Sequence, residues 1–140
     1  MTVIEQEEDR IQTTIERFFG VLLSKGIDAA LDLVTEDAVF EAQGPNSVPI
    51  YGHFEGHEGV RKFVAVLQDL FDTEKFEIRA AVEQSGIAFA YGYMQHRVIK
   101  TDRVFCSEFT LYCQIKNARI ATYKMFEDTA ALAIAYNEKN

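Results

Sequence analysis

The chain contains no run of eighteen apolar residues, so no segment is long enough to cross a bilayer as a helix. Its first residues, MTVIEQEEDRIQTTI, are acidic and lack both the basic start and the apolar middle of a secretory leader. The cytoplasm is therefore the expected compartment. Basic residues are also scarce: 14 Lys and Arg against 22 Asp and Glu give a formal charge of −8, which disfavours phosphate backbones and anionic membranes as partners. There are only two cysteines, Cys106 and Cys113. If they share one strand, seven steps of ~3.3 Å set them roughly 23 Å apart on opposite faces, where they can neither bridge each other nor share a metal. Both read as small buried hydrophobes, with Cys106 the one thiol that could bridge to another subunit. The two prolines both fall in Gly44-Pro45-Asn46-Ser47-Val48-Pro49, which marks a loop.

What the chain does have is an ordinary globular composition. At 140 residues, 48% apolar and 26% charged, it has the size of one domain, expected to span 1–140, and is too apolar for disorder. Thr2 and Glu5 have the form of a capping box, with Glu7, Glu8 and Asp9 near the positive end of a first helix. Its apolar stripe is Ile4, Ile11, Ile15, Phe18 and Leu22, and Lys25-Gly26 is its stop. Asp28 is placed to cap a short second helix carrying Leu31, Leu33 and Val34, followed by a strand over residues 38–42. Val60, Phe63, Val64, Leu67, Leu70 and Phe71 fit the apolar face of a third helix opening near Gly56.

From residue 75 the period changes to two, as Phe76, Ile78, Ala80 and Val82 alternate with charged residues up to Ser85-Gly86. Residues 87–99, 104–115 and 119–127 read as three more strands, and Asp128 or Thr129 can cap a final helix. His53, His57 and Glu58 do not have the H-E-x-x-H spacing, and Gly52, Gly56 and Gly59 do not form G-x-G-x-x-G. Neither a metal nor a cofactor is expected.

Helices first and an antiparallel meander afterwards define an α+β class, a curved antiparallel sheet with three to four helices on its concave side. The order α-α-β-α-β-β-β-β-α resembles the cone-shaped nuclear-transport-factor-2-like (cystatin-like) fold of ketosteroid isomerases, SnoaL-like polyketide cyclases and limonene epoxide hydrolases. The carriers are Leu33-Val34-Thr35-Glu36-Asp37-Ala38-Val39-Phe40, then Gly56, Glu58, Val60 and Phe63, and finally Phe126-Glu127-Asp128-Thr129. The resemblance implies a single SnoaL-like domain, a hydrophobic pocket on the concave face and a homodimer through the convex face.

A two-residue turn at Thr101-Asp102 would oppose Met94 to Phe109, Gly92 to Leu111 and His96 to Ser107. This face is assigned to the cavity. The other face then carries Tyr91, Tyr93, Glu108, Thr110 and Tyr112, suited equally to a half-exposed sheet surface and to a subunit contact. The last hairpin has two registers. A two-residue turn at Asn117-Ala118 puts Lys124 and Asp128 inside, whereas a three-residue turn puts Tyr123, Met125 and Glu127 there and frees Lys124 from burial.

The expected catalytic candidates are His96, with Glu127 or Asp128 as its partner acid; the plain role of Asp128 is a helix cap. Tyr51 and Ser107 are candidate hydroxyl donors to a ligand, and Phe18, Phe40, Phe63, Leu67, Met94, Phe109 and Leu111 are the expected apolar contacts. Position by position, the tyrosine of ketosteroid isomerases falls on Phe18, their first-strand aspartate on Ala42 and their later acid near Leu111. The Arg-x-Asp of limonene epoxide hydrolases meets Tyr91-Gly92-Tyr93-Met94, leaving only Asp128 as a counterpart. Those two activities are disfavoured. What the resemblance leaves is a cofactor-free isomerase, cyclase or lyase acting on a small apolar carbonyl compound, or a non-catalytic dimeric module that binds a small hydrophobic ligand.

Overall fold

The computed structural model describes residues 11–137. In chain order they form α1 (Thr14–Lys25), α2 (Ile27–Ala30), a 3-10 turn (Leu31–Leu33), β1 (Val34–Ala42), β2 (Gly52–Glu55), α3 (Gly56–Leu70), β3 (Phe71–Gln84), β4 (Ile87–Val98), β5 (Arg103–Lys116), β6 (Arg119–Phe126) and α4 (Thr129–Asn137). One sheet of order β2-β1-β6-β5-β4-β3 holds all six strands. Its pairings are antiparallel except for β1 with β6, which run parallel. Bulges between Thr73 and Lys75 and between Ile78 and Ala80 bend β3, because each extra residue adds local twist. The expected α+β architecture with a curved, open sheet is the one observed.

Several local expectations change. The Thr2–Glu5 capping box lies outside the described residues. Within them α1 begins only at Thr14, capped by a box in which the Thr13 hydroxyl accepts from the Glu16 amide while Glu16 accepts from the Thr13 amide. Ile11 precedes this helix and is 86% exposed, so it is not part of the buried stripe. The cap of α2 is Gly26, at φ 91°, and Asp28 instead pairs with Arg61 at 3.1 Å. Val34 and Phe71, read as helical, both begin strands. The four-residue strand β2 had no sequence signal of its own, since Gly52 and His53 interrupt the apolar alternation. Cys113 is buried but Cys106 is exposed, as the alternation of β5 requires of residues an odd number apart.

The hairpin registers decide what faces inward. The β4–β5 connection is a four-residue loop closed by Val98 and Arg103, not a two-residue turn, so Met94 opposes Ser107, Gly92 opposes Phe109 and His96 opposes Phe105. This register differs from the expected one by two residues, an even number, so every side chain keeps its expected face. In the last hairpin Asn117-Ala118 is a two-residue turn, with Lys116 opposite Arg119. A bulge then intervenes: Ile115 pairs with Ile120 but Gln114 pairs with Thr122, leaving Ala121 unpaired. Beyond it Tyr123 and Met125 point inward, while Lys124 turns outward to Glu41 at 3.6 Å.

The core lies between the concave sheet face and helices α1 and α3. Phe40 stacks on Tyr123 with centroids 4.2 Å apart, and Phe18 and Phe63 meet Phe40 edge-on at 5.9 and 5.7 Å. Gly92 leaves no room for a side chain between its neighbouring strands: a Cβ there would overlap the Glu77 carbonyl and sit 2.6 Å from Phe109 Cζ. Asn117 and Ala118 both have positive φ, 51° and 61°, as a type I′ turn demands. Alanine is strained there. Replacing Ala118 with glycine is expected to stabilise the fold by about 1 kcal/mol, read as a melting temperature a few degrees higher; an unchanged or lower value would contradict the turn assignment.

Candidate functional site

A cavity of about 140 Å³ opens between the sheet and the helices. Six of its wall residues are aromatic: Phe19 from α1, Phe63 from α3, Phe71 and Phe76 from β3, Phe105 from β5 and Tyr123 from β6. Leu22, Leu23, Leu67, Met94 and Met125 supply much of the aliphatic surface. The polar side chains that interrupt it are Thr73, His96 and Glu127, and among the described residues no Lys or Arg lines it. Leu23 and Thr73 are exposed as well as cavity-lining, which places an opening between the end of α1 and the start of β3.

Glu127 enters this cavity because the bulge at Ala121 changes the parity of β6. Its Oε2 accepts a hydrogen bond from the Tyr51 hydroxyl at 3.1 Å. Burial pushes its carboxyl up to about 7; the Tyr51 bond opposes that rise and the neighbouring charge of Asp128 adds to it. The same pair pushes the Tyr51 hydroxyl upward, through its own burial first and then the Glu127 charge, so Tyr51 remains a neutral donor. Tyr123 is likewise raised by burial.

His96 is buried and stacks on Phe71 with centroids 4.4 Å apart and planes 15° from parallel. Its Nδ1 meets the Thr73 hydroxyl at 2.9 Å, a contact made across the directly opposed β3–β4 pair. Desolvation pushes its imidazole down to about 4, so the ring is neutral at physiological pH. The acid expected to orient it is not its partner; Thr73 takes that place. His96 and Glu127 reach the cavity from β4 and from the end of β6, on either side of β5.

The other anticipated residues divide clearly. Phe63, Leu67 and Met94 line the cavity. Phe18, Phe40, Phe109 and Leu111 are buried in the packing behind it. Ser107 is occupied by the backbone, donating to the Glu108 carbonyl at 2.6 Å and accepting from the Asp128 amide at 3.0 Å. Asp128 is exposed and accepts from the Ala131 amide at 3.0 Å, which is the cap of α4. Tyr51 touches Glu127 rather than the cavity itself. His53 is held between Glu55 at 2.9 Å and Glu41 at 3.2 Å, and His57 Nε2 donates to the Val34 carbonyl at 2.9 Å, so neither imidazole faces the cavity. Phe19, Phe71, Thr73, Phe76 and Phe105 were missed. Phe76 lay in a readable alternation, whereas Thr73 could be paired with His96 only by knowing the bulge after it.

The two cavity groups leave opposite marks on stability. Folded His96 gives up its proton near pH 4 instead of 6.5, so its contribution is lost as pH falls through that interval. Folded Glu127 keeps its proton to about 7 instead of 4.5, so its contribution is lost as pH rises through that interval. Glu127→Gln should therefore be stabilised relative to the parent at pH 8, by up to about 3 kcal/mol, with little of that gain at pH 4. His96→Phe should gain stability relative to the parent as pH falls from 6.5 to 4, because the variant keeps only the opposing contribution of Glu127. Thermal melts across pH check both, and parallel profiles for the two variants would contradict the assignment.

Comparison with known proteins bears on this geometry. No curated protein matches the chain. Among solved structures it is similar to an NTF2-like protein from Burkholderia xenovorans LB400, with 21% identity, TM-score 0.81 and coverage of 89% of this chain and 93% of that one. TerC, co-crystallised with polyporic acid, aligns with TM-score 0.78 at 14% identity over 89% and 96% of the two chains. A protein of ketosteroid isomerase-like fold from Catenulispora acidiphila, in complex with trimethylamine, aligns with TM-score 0.74 at 9% identity over 91% and 96%. At these identities the likeness is one of fold. The SnoaL-like domain model, however, matches residues 15–123, most of the chain and every strand up to the middle of β6, and the protein belongs to the SnoaL-like domain family.

Proposed function

We propose that the protein binds a small, uncharged, single-ring carbonyl compound in this cavity and moves a proton on it without a cofactor, as an isomerase, cyclase or lyase would. The observation that carries this reading is Glu127, a carboxyl held near pH 7 at the wall of an otherwise mostly apolar cavity. An apolar void of about 150 Å³ takes up benzene, so about 140 Å³ suits one ring and is too small for a fused polycycle. With no Lys or Arg among the described residues of the wall, a carboxylate or phosphate group would find no counter-charge from them.

In this reading ionised Glu127 takes a proton from the carbon next to the carbonyl, and the electron pair left behind moves onto the carbonyl oxygen. Thr73 donates to His96 Nδ1, which leaves the ring proton on Nε2 to hydrogen-bond that oxygen. A neutral imidazole paired with a carboxylate base is a known division of labour for enolisation. Glu127 then returns the proton to the same carbon or to a neighbouring one. His96 is thus the polarising group and Glu127 the base, whereas the sequence reading makes His96 the base, oriented by Glu127 or Asp128.

Proton exchange with solvent tests this directly. Wild-type protein is expected to speed deuteration of cyclohexanone next to its carbonyl in D₂O, with a rate that rises through pH 7 as Glu127 ionises. Glu127→Gln should lower the rate by roughly 100-fold or more. Equal rates in the two proteins would overturn the reading.

A second reading, a non-catalytic dimeric ligand-binding module, is favoured by the convex face. Phe89 is 45% and Tyr91 40% exposed there, beside Tyr93, Glu108, Thr110 and Tyr112. Dimerisation through this face is compatible with either reading. Sedimentation is expected to find two chains per particle for the parent and one for Phe89→Asp; a monomeric parent would remove the dimer. Cys106, an exposed free thiol on the same face, fits a reducing compartment such as the cytoplasm.

A further inference from the structure

The loop at 43–51 makes a connection that the cavity alone does not explain. Tyr51 closes this loop, 76 positions before Glu127, and its hydroxyl is the side-chain donor to the Glu127 carboxyl. The loop is stitched internally, Val48 donating to the Pro45 carbonyl and Tyr51 to the Val48 carbonyl, each at 3.1 Å. It is tied outward by Asn137 donating to Ser47 at 3.1 Å. The tyrosine ring itself rests on Gly44. A methyl group added there would lie 2.5 to 2.7 Å from three ring carbons, closer than atoms can approach. Gly44 is not among the residues with positive φ, so the position requires a glycine for space and not for backbone conformation.

We propose that Tyr51, seated on Gly44, is a positioning residue for Glu127: it holds Oε2 and so presents Oε1, bearing or lacking the exchangeable proton, to the cavity. This rests on reading Glu127 as the proton carrier. A glutamate side chain has three torsions, and at the end of a strand its carboxyl could otherwise turn toward the exposed start of α4. The hydroxyl bond removes that freedom and, because it favours the charged form, opposes the effect of burial.

The other groups around Glu127 do not substitute for it. Asp128, beside it in the chain, pushes the carboxyl upward. Tyr123 from β6 is a neutral phenol. His96 from β4 shares the cavity as a neutral ring, and Lys124 is turned to Glu41. Tyr51 is thus the one neighbour that draws the Glu127 midpoint down.

The test needs no substrate. Carbon-13 NMR of Glu-labelled protein follows the Glu127 carboxyl against pH, with Glu127→Gln identifying its resonance by loss. In Tyr51→Phe the midpoint should rise by about one pH unit, a tenfold stronger hold on the proton. Gly44→Ala, which leaves both Tyr51 and Glu127 in the chain, should raise it in the same direction by displacing the ring. Ser47→Ala, on the same loop but away from the ring, should leave it unchanged. An unshifted midpoint in folded Tyr51→Phe overturns the proposal, and that variant decides alone if Gly44→Ala does not fold. A shifted midpoint in a protein that exchanges no ketone protons would leave the positioning role intact and remove the proposed reaction.

Discussion

One unpaired residue, Ala121, governs which side chains this sheet presents to its cavity. Strand alternation is strict, so an extra residue in β6 reverses the face of everything after it. Without the bulge the two-residue turn at Asn117-Ala118 would carry Lys124 inward, uncompensated among phenyl rings, and turn Glu127 to solvent. With it, Lys124 meets Glu41 on the adjacent parallel strand and Tyr123 stacks on Phe40. The cost of burying a lysine and the gain from stacking a tyrosine favour the same register, which is why a locally irregular strand is the stable one.

The cavity that results is electrically simple. Burial shifts His96 and Glu127 toward their neutral forms, the imidazole below its ordinary range and the carboxyl above it to about 7. Each is steadied by a neutral hydroxyl, Thr73 for His96 and Tyr51 for Glu127. Because the two shifts are of similar size and opposite sign, they nearly cancel where their intervals overlap, and the parent protein conceals both. An apolar surround with a few oriented polar groups suits a guest that is itself uncharged.

Much of the architecture could be read in the chain. The helix of 56–70 and the long strands showed themselves by period, and Ser85-Gly86 and Asn117-Ala118 by turn chemistry. The face of His96 survived an error of register because the error was even. What stayed hidden depended on odd insertions: the bulge after Thr73 that pairs it with His96, and the one at Ala121 that admits Glu127. The sequence leaves both registers of the last hairpin open, and the structure combines them, the turn of one with the facing of the other. Tyr51 illustrates a different limit. Its hydroxyl was recognised as available, but a bond to a residue 76 positions away has no local signal.

The order of the strands also bears on how the molecule comes into being. β6 lies between β1 and β5, so the early pair β1–β2 and the meander β3–β5 are joined into one sheet only through the latest strand made. A chain emerging from the ribosome can form its local hairpins promptly, but the parallel seam must wait for distant residues to meet, a slow and non-local step. Glu127 directly follows β6. Its place at the cavity wall and the cavity itself therefore come into being together, at the final closure, and a partly folded chain has neither.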